Sequence, residues 1–224
     1  MNDDNFQENL EDLKNEAKKL RDRIERTQLT FKRALPSVIL HQWTTPQYDA
    51  MLKYGILLET DPVELVNGQI IQMSPINPPH AAATKRSYDY LTSILSGRAA
   101  IRSQVPVVLN DNSKPEPDIA VVKPDEREYS DRHPTADDIL LIIEISDATL
   151  AFDLGDKAKA YALSGVQDYW VVDVRERQVH VLRQPVGEEY VQRKVFKLVD
   201  VSSTESMVAF PGIQLFLVNL LPLN

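Results

Sequence analysis

The run ILLIIEIS, residues 139–146, constrains the fold more than any other stretch of the chain. A short, almost wholly apolar run reads as a strand in the interior of a sheet, yet Glu144 stands inside it. Side chains alternate across a strand, which predicts Leu140, Ile142, Glu144 and Ser146 on one face and Leu141, Ile143 and Ile145 on the other. An unpaired carboxylate there loses several kcal/mol of hydration or takes up a proton. Glu144 therefore needs an arginine, a lysine or a metal ion, unless it stands at the fraying end of the strand and reaches water.

The following segment supplies a cation. A helix is expected from about 151 to Gly165, with Lys157 in its first turns and Asp153 four residues earlier on the same side. The lysine either bridges to Asp153 or swings back over the sheet edge where Glu144 and Ser146 emerge. A second carboxylate lies in PEPDIAVV, residues 115–122, where Asp118 opens a short apolar strand after Pro117. Asp commonly serves as a turn residue at such an entry. Glu116 is a further candidate, read as lying outside the strand and on a different alternation.

The remaining pattern is mixed. Residues 44–55 carry a Thr cap, an early proline and a glycine stop, so they read as a short helix. VELVNGQIIQM forms a hairpin about Asn67-Gly68. After the SPINPPH loop, HAAATKRSYDYLTSIL is a helix with Ala83, Tyr90, Leu91 and Leu95 facing inward. Strands are expected at about 100–109 and 117–122, then a polar surface loop over 123–138. DYWVVDV, RQVHVLRQ and EEYVQRKVF add three strands, the last two joined at Pro185 to Gly187, and MVAFPGIQLFLVNLL closes with a strand and a short apolar segment. Strands interleaved with helices imply an α/β or α+β domain on one central mixed sheet, spanning residues 36–224.

Residues 1–35 differ in kind. Phe6, Leu13, Leu20 and Thr27 recur every seventh position, and Leu10, Ala17, Ile24 and Phe31 form the interleaved series. This is the seam of a left-handed coiled coil, which points to a dimerisation helix and a homodimer, or else to an amphipathic helix laid on its own domain. Pro36 ends it.

No apolar run approaches the roughly 18–20 residues of a membrane span, and the acidic start is unlike a secretory signal, so a cytoplasmic protein without a membrane partner is expected. The absence of cysteine excludes disulfides and thiolate metal sites, and the four histidines (41, 80, 133, 180) are scattered. A zinc ion would need His and carboxylates, and a hard cation held by oxygen suits this composition better. The net charge of -8 argues against a broad basic surface coating nucleic acid. It leaves DNA open as a substrate approached through a local patch such as Lys85 and Arg86, or Arg98 and Arg102.

An Asp at a strand start, a Glu on the next apolar strand and a nearby Lys resemble the PD-(D/E)XK nuclease superfamily. Pro117-Asp118 matches the PD pair and Glu144 the acidic position. Ser146 departs from the pattern, because the superfamily's lysine stands there; Lys157 fits the variation in which that lysine has migrated to the following helix. Over residues 44–222 the chain more closely resembles the Uma-two family of restriction-endonuclease-like proteins. The carrying motifs are VELVNGQIIQMSP with His80 after it, PEPDIAVV, IEIS with the Asp153, Lys157 and Tyr161 spacing, GVQDYWVVD and FPGIQL.

The resemblance implies a restriction-endonuclease-like fold and metal-dependent hydrolysis of DNA phosphodiester bonds. Asp118 and Glu144 would hold Mg2+ (or Mn2+), one ion or two, with water and the Ile145 carbonyl completing an oxygen shell. Lys157 would orient the attacking water or stabilise the transition state, and His80 would touch phosphate or assist proton transfer. Tyr161 is expected to pack beside the site, and Tyr169 and Trp170 to be core and sheet-edge residues rather than base-stacking platforms. The departure at Ser146 keeps a second expectation open: a catalytically silent nuclease-like fold acting as a dimeric binding or assembly module.

Overall fold

The computed structural model describes residues 40–197 and 202–223. The heptad segment, residues 1–35, lies outside the described residues. From His41 onward the chain forms a single compact unit. In chain order its elements are α1 (Thr45–Lys53), β1 (Val63–Val66), β2 (Gln69–Gln72), α2 (Pro78–Leu95), β3 (Ala100–Arg102), β4 (Ile119–Val122) and β5 (Ile139–Ser146). A helical run α3 follows, made of Leu150–Phe152, a π turn at Asp153–Lys157, and Ala158–Leu163. Then come β6 (Asp168–Asp173), β7 (Gln178–Val186), β8 (Glu189–Lys197), β9 (Thr204–Met207) and β10 (Phe210–Phe216).

Six strands form one mixed sheet in the order β3-β4-β5-β6-β7-β8. Only β5 and β6 run parallel, with α3 as their crossover; the other neighbours are antiparallel. The apolar run of β5 thus lies inside the sheet with both faces covered, which is why it lacks the alternation of a half-exposed strand. Leu141, Ile143 and Ile145 pack with Trp170 against Leu91 and Leu95 of α2. Ile142 packs with Tyr169 against Ala158 and Tyr161 of α3. Each fully buried aliphatic side chain contributes on the order of 1.5–3 kcal/mol.

The structure corrects several sequence expectations. Val121 pairs with Leu141 but Val122 with Ile139, so Leu140 is an extra residue in a bulge. Leu140 consequently joins the α2 side of the sheet and Ile139 the α3 side, and Leu140 does not share a face with Glu144. The strand expected over 100–109 stops at Arg102, because Gln104 has positive φ (52°) and Pro106 has no N–H to give a ladder. The helix expected from His80 starts two residues earlier, at Pro78, capped by the Asn77 side chain accepting from the His80 N–H at 3.1 Å. Tyr90 is only half-buried, its hydroxyl accepting from the Phe216 N–H. The 123–138 loop is anchored: Tyr129 is buried, donates to the Lys123 carbonyl at 2.8 Å and lies beneath the Arg102 and Arg132 guanidinium groups. The turn between β7 and β8 falls at Gly187-Glu188 rather than Pro185–Gly187, and β9, which pairs with β10, was not anticipated.

Among the described residues no helix is long and apolar enough to cross a membrane.

Candidate active site

Glu144 sits at the end of β5 that leads into α3, with 2% of its surface exposed. Its Oε1 accepts from Lys157 Nζ at 3.0 Å and from the Tyr161 hydroxyl at 2.9 Å, and its Oε2 accepts from the Asp118 backbone N–H at 3.3 Å. The side chain of Asp118, just before β4, returns the link: its Oδ2 accepts from the Ile145 N–H at 2.8 Å. The same oxygen lies 3.1 Å from His80 Nε2, while among the described residues Oδ1 meets only the Gln104 amide, at 3.4 Å. All four residues singled out from the sequence, His80, Asp118, Glu144 and Lys157, therefore converge. The lysine takes the longer of its two anticipated routes, reaching back to the sheet instead of bridging to Asp153.

A residue not anticipated completes the cluster. Glu64, in the middle of β1 and 2% exposed, accepts from Lys157 Nζ through Oε1 at 3.1 Å and from the Glu116 backbone N–H through Oε2 at 3.0 Å. The β1–β2 hairpin lies outside the main sheet and presents Glu64 across the site. Its tight turn uses positive φ at Asn67 and Gly68, and a Cβ on Gly68 would come within 2.8 Å of Gln42 Cβ. The signal was present: VELV places a carboxylate inside an apolar strand as IEIS does. Glu116 also belongs here. It lines the same cavity as Asp118, two residues away, as one-face alternation requires.

Tyr161 does more than pack, since its hydroxyl donates to Glu144. Tyr169 and Trp170 are fully buried core residues, on a strand inside the sheet and not at its edge. Asp153 is turned away from Lys157 toward Ser146 and Thr149, whose hydroxyls each donate to its Oδ2 at 2.6 Å. His41, His133 and His180 are not among the residues lining the cavity.

Charge in this pocket is one-sided. Glu64, Glu116, Asp118, Glu144, Asp147 and Asp153 line it together with Lys157 and His80. Burial pushes the Glu144 carboxyl up, to about 8, against the pull of Lys157; nearby Asp118, Asp153 and Glu64 push the same way. Burial opposes the charge of Lys157, yet Glu144, Glu64, Asp153 and Asp118 outweigh it and raise the lysine above its ordinary value. Glu116 is raised by burial and by the Glu64 charge. For His80, burial favours the neutral ring, but the hydrogen bond and charge of Asp118 prevail and the net shift is upward. The cavity holds about 750 Å³, and Ile71, Met73, Ile76 and Phe152 form apolar parts of its wall.

The family model Uma2, described as "Putative restriction endonuclease", matches residues 46–219. The chain belongs to the Uma2 family. Among solved structures, this Uma2 chain is similar to one titled as a "putative nuclease belonging to DUF820" from Anabaena variabilis. Identity is 22% and the TM-score 0.58, covering 75% of this chain and 94% of the other. That likeness establishes the fold. No curated protein matches the chain.

Among the described residues no three His, Asp or Glu side chains form a cage for a metal ion. Asp118 and Glu144 nevertheless fit a hard cation of the Mg2+ type. Such an ion keeps several waters and takes one or two carboxylates plus substrate phosphate. Asp118 Oδ1 has one long contact, and Glu144 Oε2 a single backbone donor, so each oxygen retains a lone pair.

Proposed function

We propose that this Uma2 chain is a Mg2+- or Mn2+-dependent endonuclease hydrolysing DNA phosphodiester bonds. The observation that carries the reading is the 3.0 Å contact between Lys157 of α3 and Glu144 of β5, beside Asp118. It brings together the acid, acid and lysine that the PD-(D/E)XK pattern calls for, although residue 146 is Ser.

Asp118 and Glu144 would hold the ion, which supplies a water of lowered pKa and neutralises charge on the phosphate. Lys157, held protonated by two carboxylates, stabilises negative charge and does not serve as a base. His80, hydrogen-bonded to Asp118 and shifted toward its imidazolium, offers a second positive contact to a phosphate oxygen. The excess of carboxylates makes binding of a polyanion depend on the cation, since the pocket alone repels it. With this activity we place the protein in the cytoplasm, as a homodimer paired through residues 1–35.

Duplex DNA incubated with Mg2+ or Mn2+ tests the reading, with an EDTA control and RNA and small phosphoesters in the same panel. Asp118→Ala, Glu144→Ala and Lys157→Ala should each abolish cleavage. Cleavage unchanged in all three removes this site from the reaction. A folded wild-type chain that cleaves nothing in the panel favours the silent binding module that Ser146 first suggested.

A further inference from the structure

Asp153 is gripped at two places by groups outside its own helix. Its carboxylate accepts from the Ser146 and Thr149 hydroxyls at 2.6 Å each, and its main-chain carbonyl accepts from the Tyr169 hydroxyl at 2.8 Å. Asp153 opens the π turn of α3, and Lys157 closes it. In a π turn the hydrogen bonds run to the fifth residue instead of the fourth, so one more residue fits into the turn and the side chains beyond it are rotated. Such turns are rare and need support from elsewhere in the fold. Here the support comes from the strand neighbouring Glu144's own: Tyr169 lies on β6, paired with Ile142 of β5.

We propose that Tyr169 and Ser146, holding Asp153 by its carbonyl and its carboxylate, are positioning residues: they fix the π turn and thereby place the Lys157 ammonium between Glu144 and Glu64. Ser146 occupies the place where the superfamily's lysine would stand. It acts through Asp153 on the lysine that has moved to the helix. If the turn tightened to α geometry, Lys157 would swing about the helix axis away from its two carboxylates. Tyr169 is fully buried, tilted against Tyr161 and stacked on Tyr190, with ring centroids 4.8 and 5.9 Å away. Phenylalanine there keeps the ring packing and removes only the hydroxyl.

Only the kinetic part of the test depends on the nuclease reading. The full chain is prepared as wild type, Tyr169→Phe, Ser146→Ala and Ser146→Thr: the first variant removes the hold on the carbonyl, the second removes one of the two hydroxyls on the carboxylate and leaves that of Thr149, and the third restores it. The 15N signal of the Lys157 ammonium, assigned with Lys157→Met, is recorded in EDTA. Wild type and Ser146→Thr should show a slowly exchanging signal. Tyr169→Phe and Ser146→Ala should lose it to exchange with water, and their crystal structures should show the turn drawn toward α geometry. Where Mg2+-dependent cleavage is present, kcat falls about tenfold in both with KM unchanged, the scale of one hydrogen bond that holds the competent geometry, and Ser146→Thr recovers it. A protected ammonium and an intact π turn in both Tyr169→Phe and Ser146→Ala overturn the proposal, and so does a loss of kcat without any change at Lys157. If the wild type does not cleave, the nuclease reading falls, and the ammonium signal and the turn geometry still decide this inference.

Discussion

Replacing Lys157 by Met removes the buried cation that lies between two buried carboxylates, whereas Glu64→Gln removes one carboxylate and leaves a single lysine–carboxylate pair. The two changes break the same 3.1 Å contact, so a count of contacts predicts similar effects. Charge balance predicts otherwise. The side chains of Lys157, Glu64 and Glu144 are 8%, 3% and 3% exposed, and water screens little of what remains. Lys157→Met leaves Glu64 and Glu144 without their cation, so that the pair keeps an uncompensated buried charge or takes up a proton, and should cost about 3–5 kcal/mol, the range for breaking a buried ion pair by removing one partner. In Glu64→Gln the lysine keeps Glu144, and the amide oxygen still accepts from the Glu116 N–H. The loss is then one charge-assisted hydrogen bond, about 1.5–3 kcal/mol offset by relief of the repulsion between Glu64 and Glu144. Urea denaturation at pH 7 in EDTA measures both through the midpoint and slope. Against a total stability of about 5–15 kcal/mol the difference is large. Equal destabilisation by the two variants, or a greater loss in Glu64→Gln, would refute the charge-balance reasoning.

Gly68→Ala should destabilise the chain by about 1–3 kcal/mol, because the position needs positive φ (74°) and the new Cβ would press on Gln42; a thermal midpoint equal to wild type contradicts this. Asp138 accepts from Arg132, which with the Thr135 donors holds its carboxyl down to about 2 against an ordinary 3.8. Its contribution is therefore complete above the unfolded value and disappears as pH falls through about 2. The stability gap between wild type and Asp138→Asn should accordingly be constant near neutrality and close in acid, and a gap that widens there defeats the assignment. Light scattering should give twice the chain mass for the full protein and the single-chain mass after deletion of residues 1–35; an unchanged particle in which the domain still pairs would place the dimer contact elsewhere.

What could be read from the sequence follows the range of the interactions concerned. The strands at 139–146 and 168–174 were legible because burial on both faces leaves a continuous apolar run, and the hairpin at Asn67-Gly68 because its turn chemistry is local. The break after Arg102 was less so: Val107, Val108 and Leu109 look like a strand, yet their N–H groups bond to Pro115, Pro134 and Ser113, partners that no local pattern identifies. Leu140 lies on the face opposite to the one alternation predicts for a related reason, since a bulge adds a residue without altering composition. Glu64 was missed although it carried the same sign as Glu144, a carboxylate within an apolar strand.

The displaced lysine joins these points. A lysine at position 146 would stand on the same strand as Glu144 and be directed by the pleat alone. Placed on α3, Lys157 must cross from one layer to another, and its direction depends on a helix turn that residues 150–163 do not advertise, because their spacing reads as ordinary α-helix. The chain fixes that direction from the sheet, through the Ser146 and Tyr169 hydroxyls on Asp153, and from the hairpin, through Glu64. Three separate elements thus hold one ammonium group, and two of its supports, Ser146 and Glu64, lie in apolar strands where a polar side chain is costly unless it is partnered. Polar residues in IEIS and VELV are most economically explained together, as the anchoring of a single charge brought in from outside the sheet.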